Sequence, residues 1–145
     1  MTRIVRSIII PAPIDEVFRY ASDYRTWADW FAGVSDVKAS TAISQGNGAR
    51  YAYKVRMMGV SAPVETEIHD FVTNSGWRGI STRGVTHKTF WTFKQVEQGT
   101  ELTYSLEYQL PVPLLGSLLD SLLMRPQWEK FIEKALKNLR QHFIP

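Results

Sequence analysis

The chain has 145 residues, 44% of them hydrophobic and 21% charged, with a formal net charge of +3 and no cysteine. That length suits one domain with a real core, and that composition excludes a disordered chain. The missing thiols exclude disulfides, thiolate nucleophiles and cysteine metal sites and fit a reducing, cytoplasmic setting, and the scattered positive charge has no long block of the kind that binds nucleic acid.

The N-terminus is read as a strand, Thr2 to Ile10, because it becomes apolar and β-branched. Its apolar stretch is too short for a signal peptide and lacks a small-residue cleavage site. Pro11-Ala12-Pro13 stops the strand, and Pro13 suits the first turn of a helix, with Asp15 and Glu16 at the positive end of its dipole. Val17, Phe18, Tyr20 and Ala21 give a short helix that Ser22-Asp23 breaks. Asp23 or Thr26 caps a second short helix, Trp27 to Phe31, ending near Gly33.

From Val34 the apolar period becomes two. The spacing predicts strands over Val34–Ala42, Ala49–Met57, Val64–Val72, Trp77–Thr82, Thr86–Val96 and Glu101–Leu110. Short Gly-bearing turns separate them, including Gly59 through Pro63, so the strands form an antiparallel meander. Pro111-Val112-Pro113 ends the sheet, and Leu114 to Phe143 reads as a long helix that Pro126 kinks or splits near Arg125. Trp128, Phe131, Ile132, Ala135, Leu139 and Phe143 make its apolar stripe; Lys130, Lys134 and Lys137 face elsewhere, and Glu133–Lys137 is a favourable i,i+4 pair. No apolar run is long enough to span a bilayer.

Four stretches, APIDEVF, the W-x-x-W-F of Trp27, Trp30 and Phe31, TFWTFKQVEQGTELTYSLEY and PVPLLGSLLDSLL, resemble the START-like superfamily, including its polyketide cyclase/dehydrase-like and coenzyme Q-binding members. The resemblance covers nearly the whole chain. It implies one α+β domain over residues 1–145 with a helix-grip fold: a curved seven-stranded antiparallel sheet around a long C-terminal helix, with two short helices between strands 1 and 2. It also implies a largely apolar central cavity that binds, and in some members transports, a lipid, quinone or polyketide. Some members are cyclases or dehydratases.

Strand alternation selects the residues expected to line such a cavity: Tyr51, Tyr53, Val55 and Met57; Val64, Thr66 and Ile68; His87, Thr89, Trp91 and Phe93; Tyr104, Leu106 and Tyr108. Trp27, Trp30 and Phe31 are expected at its mouth, where a tryptophan buries its ring and keeps its N–H wet. Leu118 and Leu122 are expected to reach it from the last helix. The main role expected of these rings is to seal the core, with ligand contact as a secondary one. Phe90 is left on the outer face, a position that suits a second apolar patch.

The weak acid–base candidates are His87, Tyr104 and Tyr108; a hydrogen-bonded structural role for His87 is the plainer alternative. His69 shares the outer face with Glu65 and Glu67 and reads as solvated, and His142 falls in the last helical turn, where a cation is favoured. Gly46-Asn47-Gly48 lacks the following helix and Lys-Ser/Thr pair of a phosphate loop. No metal site or cofactor is expected. The partner expected is a hydrophobic small molecule, with no nucleic acid, no stable membrane insertion and at most transient membrane contact through Leu114–Leu119.

Overall fold

The computed structural model describes residues 2–57, 59–109 and 123–145. Seven antiparallel strands form one sheet in the order β1-β7-β6-β5-β4-β3-β2. They are β1 (Thr2–Ile10), β2 (Val34–Ala39), β3 (Arg50–Met57), β4 (Val60–Val72), β5 (Gly76–Arg83), β6 (Thr86–Val96) and β7 (Gly99–Gln109). Chain neighbours from β2 to β7 pair as hairpins, and β7 also pairs with β1. This is the meander that the period-two pattern predicts.

The chain passes from one sheet edge, β1, to the other, β2, through α1 (Ile14–Ala21), a 3-10 turn (Tyr24–Thr26) and α2 (Trp27–Trp30). Pro13 is the N-cap residue of α1. The Asp23 carboxylate accepts from the Arg25 backbone N–H and so starts the 3-10 turn. Thr26 turns its hydroxyl back to the carbonyls of Tyr20 and Asp23 instead of capping α2. The last helix, α3 (Arg125–His142), carries Pro126 in its first turn, where no N–H is missed. The upstream part of the expected helix, Leu114 to Leu122, lies outside the described residues, as do Leu110 and Pro111–Pro113.

Helix α3 buries Ile132, Ala135, Leu136 and Leu139 and exposes Lys130, Lys134 and Lys137. The apolar stripe is thus read correctly, with Leu136 added. The expected Glu133–Lys137 pair is replaced: Glu133 meets Arg6 of β1 at 3.2 Å, and Arg6 also takes Glu129 at 2.7 Å. These ion pairs join the helix to the sheet edge, and Arg140 adds a hydrogen bond to the Ile9 carbonyl.

Two strand ends differ from expectation by more than two residues. β2 stops at Ala39, and a register shift between Ser35 and Lys38, with Asp36 at φ 53°, interrupts its alternation before that end. β4 begins at Val60 rather than Val64, since Met57 pairs directly with Val60 and residues 60–63 are strand, not turn. Register also shifts twice between β4 and β5. At Gly76, φ is 146°, and a Cβ there would lie 1.8 Å from the Trp91 carbonyl oxygen, so only glycine lets β5 start against β6. Phe90 is half-buried on the outer face, opposite Arg78 and Ser105 in register. His142 stacks on Tyr20 at 3.7 Å.

Candidate functional site

The sheet, α2 and the start of α3 enclose a cavity of about 620 Å³. Its floor comes from alternate residues of the strands. β3 supplies Tyr53 and Val55; β4 supplies Val64, Thr66 and Ile68; β6 supplies His87, Thr89 and Trp91; β7 supplies Tyr104, Leu106 and Tyr108. Trp27 and Phe31 close one side, and Met124 and Trp128 reach in from α3. Among the described lining residues none is Asp, Glu, Lys or Arg.

Most of the expected lining residues are therefore together on one wall. Three are not. Tyr51 is buried in the core instead. Trp30 is 2% exposed and packs in the core with its ring edge-on to Trp91, 5.8 Å away. Phe93 lies one inward position beyond Trp91, under α1, edge-on to Phe18 at 5.1 Å. Helix α1 thus covers the Phe93 ring before the cavity begins, whereas the Trp30 ring packs on the strand residue Trp91. Leu118, Leu122 and the Met57 side chain lie outside the described residues.

Several lining residues escape a reading of the sequence. Val60, Ala62 and Pro63 fall in the expected turn, although Val60, Ala62 and Val64 continue the period of two. Trp77 stands on a strand whose glycine interrupts the pattern, and it stacks on Trp91 at 5.3 Å. Val34 and Val85 sit at a strand start and in a hairpin, where alternation gives no signal.

The two tryptophans of α2 do not keep their N–H groups wet. Trp27 Nε1–H donates to the Ala21 carbonyl at 2.8 Å, and Trp30 Nε1–H donates to Thr26 Oγ1 at 3.1 Å. Both rings are thus fixed by the turn that precedes them. Trp27 shows the cavity only apolar surface.

One polar strip crosses this wall. His87 Nδ1 lies 2.7 Å from the Val85 carbonyl oxygen, which can only accept, so Nδ1 carries the proton. Burial lowers the His87 pKa from its ordinary value, which keeps the ring neutral and leaves Nε2 as an acceptor. Thr66 Oγ1–H donates to that Nε2 at 3.0 Å. The Thr66 oxygen in turn accepts from the Tyr53 hydroxyl at 2.9 Å. The chain runs in one direction, Tyr53 to Thr66 to His87 to the Val85 carbonyl, and joins β3, β4 and β6. Burial raises the pKa of Tyr53, and that of Tyr104, where the nearby Tyr53 adds to the effect. Both phenols are therefore neutral hydrogen-bonding groups at physiological pH. The Tyr104 hydroxyl has no hydrogen-bond partner among the described residues.

A long helix held against a curved antiparallel sheet, with an apolar cavity between them, defines the helix-grip, START-like class. The chain belongs to the family described as polyketide cyclase / dehydrase and lipid transport, whose model matches residues 1–143. Solved structures agree. A protein from Thermus thermophilus, 23% identical, superposes with a TM-score of 0.84 over 97% of this chain and 95% of its own. A START superfamily protein from Mycobacterium smegmatis is 14% identical, with a TM-score of 0.76 over 98% and 99% of the two chains. The di-domain ARO/CYC StfQ from the steffimycin biosynthetic pathway is 11% identical, with a TM-score of 0.77 over 97% of this chain and 50% of its own. At these identities the likeness is one of fold. The comparison with curated proteins found no match.

Proposed function

We propose that the 145 residues act as one domain that binds, and by binding carries, a hydrophobic small molecule such as a lipid, quinone or polyketide. The observation that supports this most is the cavity itself: about 620 Å³, within the range of small-molecule sites, and lined mainly by aromatic and aliphatic side chains. Trp27, Phe31, Trp91 and Leu106 supply apolar contact, and Tyr53, His87, Tyr104 and Tyr108 the polar wall. Among the described residues no helix is long and apolar enough to cross a membrane; a cytoplasmic carrier that touches membranes only transiently is the setting we propose. Native mass spectrometry of freshly purified protein, followed by organic extraction, tests the reading. A reproducible hydrophobic passenger is expected. A chain that carries none, and that also fails to bind an apolar probe such as pyrene, refutes it.

A cyclase or dehydratase is the second reading, and the directed hydrogen-bond chain favours it. Thr66 occupies His87 Nε2, so a substrate would meet the Tyr53 phenol rather than the imidazole. Tyr53→Phe would then abolish turnover of a poly-β-ketone substrate while leaving the fold intact; equal turnover by the variant excludes this route.

A further inference from the structure

The hydrogen-bond inventory of the cavity wall limits what its occupant can be. In the chain from Tyr53 to the Val85 carbonyl every proton is already donated. What the chain still offers a guest is acceptor capacity only, first of all the unused lone pairs of Tyr53 Oη. Tyr104 Oη–H, without a partner among the described residues, offers a donor. The two phenols line the same cavity. A hydroxyl group is the small neutral group that satisfies both, since it donates through its proton and accepts through its oxygen. A ketone uses only the donor, and a hydrocarbon uses neither.

Charge gives the second limit. No described lining residue is an Asp, Glu, Lys or Arg, and His87 has its proton committed to a backbone carbonyl. A carboxylate carried into this site would lose its water and find no cation, which costs far more than a neutral hydroxyl loses. We infer that the cavity selects a neutral, hydroxyl-bearing apolar molecule, whose hydroxyl donates to Tyr53 and accepts from Tyr104, and that it rejects the corresponding acid. This rests on the binding reading above and narrows its ligand class.

Three fluorescent probes of one shape test it at pH 7: pyrene, 1-hydroxypyrene and pyrene-1-carboxylate, titrated into the full chain with tryptophan-to-pyrene energy transfer as the signal. The expected order is hydroxypyrene tightest, roughly three- to tenfold above pyrene for the net worth of such hydrogen bonds, and the carboxylate weakest, roughly a hundredfold or more below hydroxypyrene. Tyr104→Phe and Tyr53→Phe are each expected to shrink the hydroxypyrene-to-pyrene ratio toward one. Pyrene binding by the same variants reports that the cavity persists. Equal binding of hydroxypyrene and pyrene by the natural chain overturns the inference, as does a carboxylate that binds as well as the alcohol, or a ratio that both variants leave as it was. If none of the three binds, the binding reading itself falls and the inference with it; if pyrene binds without discrimination, only the inference falls.

Discussion

Thr66→Val tests whether the polar chain holds the cavity wall together. Valine keeps the shape of threonine and deletes only the hydroxyl. Thr66 is 5% exposed and sits between Tyr53 at 2.9 Å and His87 at 3.0 Å. Two hydrogen bonds disappear, each worth about 0.5–1.5 kcal/mol net. The His87 Nε2 acceptor and the Tyr53 hydroxyl lose their protein partner together, so the cost is roughly 1–3 kcal/mol. Thr66→Ser is the control. It keeps the hydroxyl and loses one methyl, worth about 0.8 kcal/mol of burial. Urea unfolding followed by tryptophan fluorescence reads both variants, and the midpoint of the valine variant is expected to fall further than that of the serine variant. If the serine variant is the less stable, Thr66 contributes as an apolar wall residue and the chain is incidental.

Four residues give three further predictions. The folded-state pKa of His87 is depressed by burial, so the unfolded chain takes up the proton first as pH falls. The stability tied to the neutral ring is full above its ordinary value near 6.5 and declines as pH drops below it; urea midpoints between pH 7.5 and 5.5 should show this slope, and His87→Gln should remove it. Gly76→Ala drives a Cβ to 1.8 Å from the Trp91 carbonyl oxygen at φ 146° and should cost roughly 3 kcal/mol or more in the same assay; a loss below about 1 kcal/mol would show that β5 and β6 separate easily there. Leu139→Ala, at a position 0% exposed, should cost about 2–5 kcal/mol, whereas Arg6→Ala, which breaks two partly exposed ion pairs to α3, should cost only about 0.2–1 kcal/mol per pair and less at high salt.

The fold is legible because each of its elements repeats a period. The nine residues of β1, read from their apolar and β-branched run, and the eleven of β6, read from alternation, coincide with the observed strands, and the inward set His87, Thr89, Trp91 and Phe93 is the buried set. Alternation says which face a residue takes. It does not say how far along the strand the cavity begins. That boundary is set by which helix lies over which strand position, and this is why Phe93, under Phe18 of α1, goes to the core while Trp91 stays on the wall. Val60–Pro63 misleads for a different reason: a serine and a proline beside a glycine match turn chemistry, and only the hairpin partner, β3, pulls them into a strand. The direction of the Tyr53–Thr66–His87 chain lies beyond the sequence altogether, because it depends on the Val85 carbonyl reaching Nδ1.

The size of the cavity leads to one last expectation. At about 24 cal/mol per Å³, the value for closed apolar voids, a dry space of 620 Å³ would cost about 15 kcal/mol, as much as the whole net stability of a robust domain. A space of that size is therefore expected to be shared with water until an apolar molecule displaces it. The walls do not collapse instead because their rings are fixed: Trp27 is tied to the Ala21 carbonyl, Tyr53 to Thr66, and Trp91 is stacked on Trp77 and set against Trp30. A rigid apolar wall exchanging poorly bound water for a guest should bind with a clearly negative heat-capacity change. It should also transfer the binding energy to the fold. A guest at about 100 times its Kd adds about 2.7 kcal/mol, which for a chain of this size raises Tm by roughly 5–10 °C. Calorimetry with hydroxypyrene measures both quantities. Binding with no heat-capacity change would show that the guest buries little apolar surface and leave the cavity without a role.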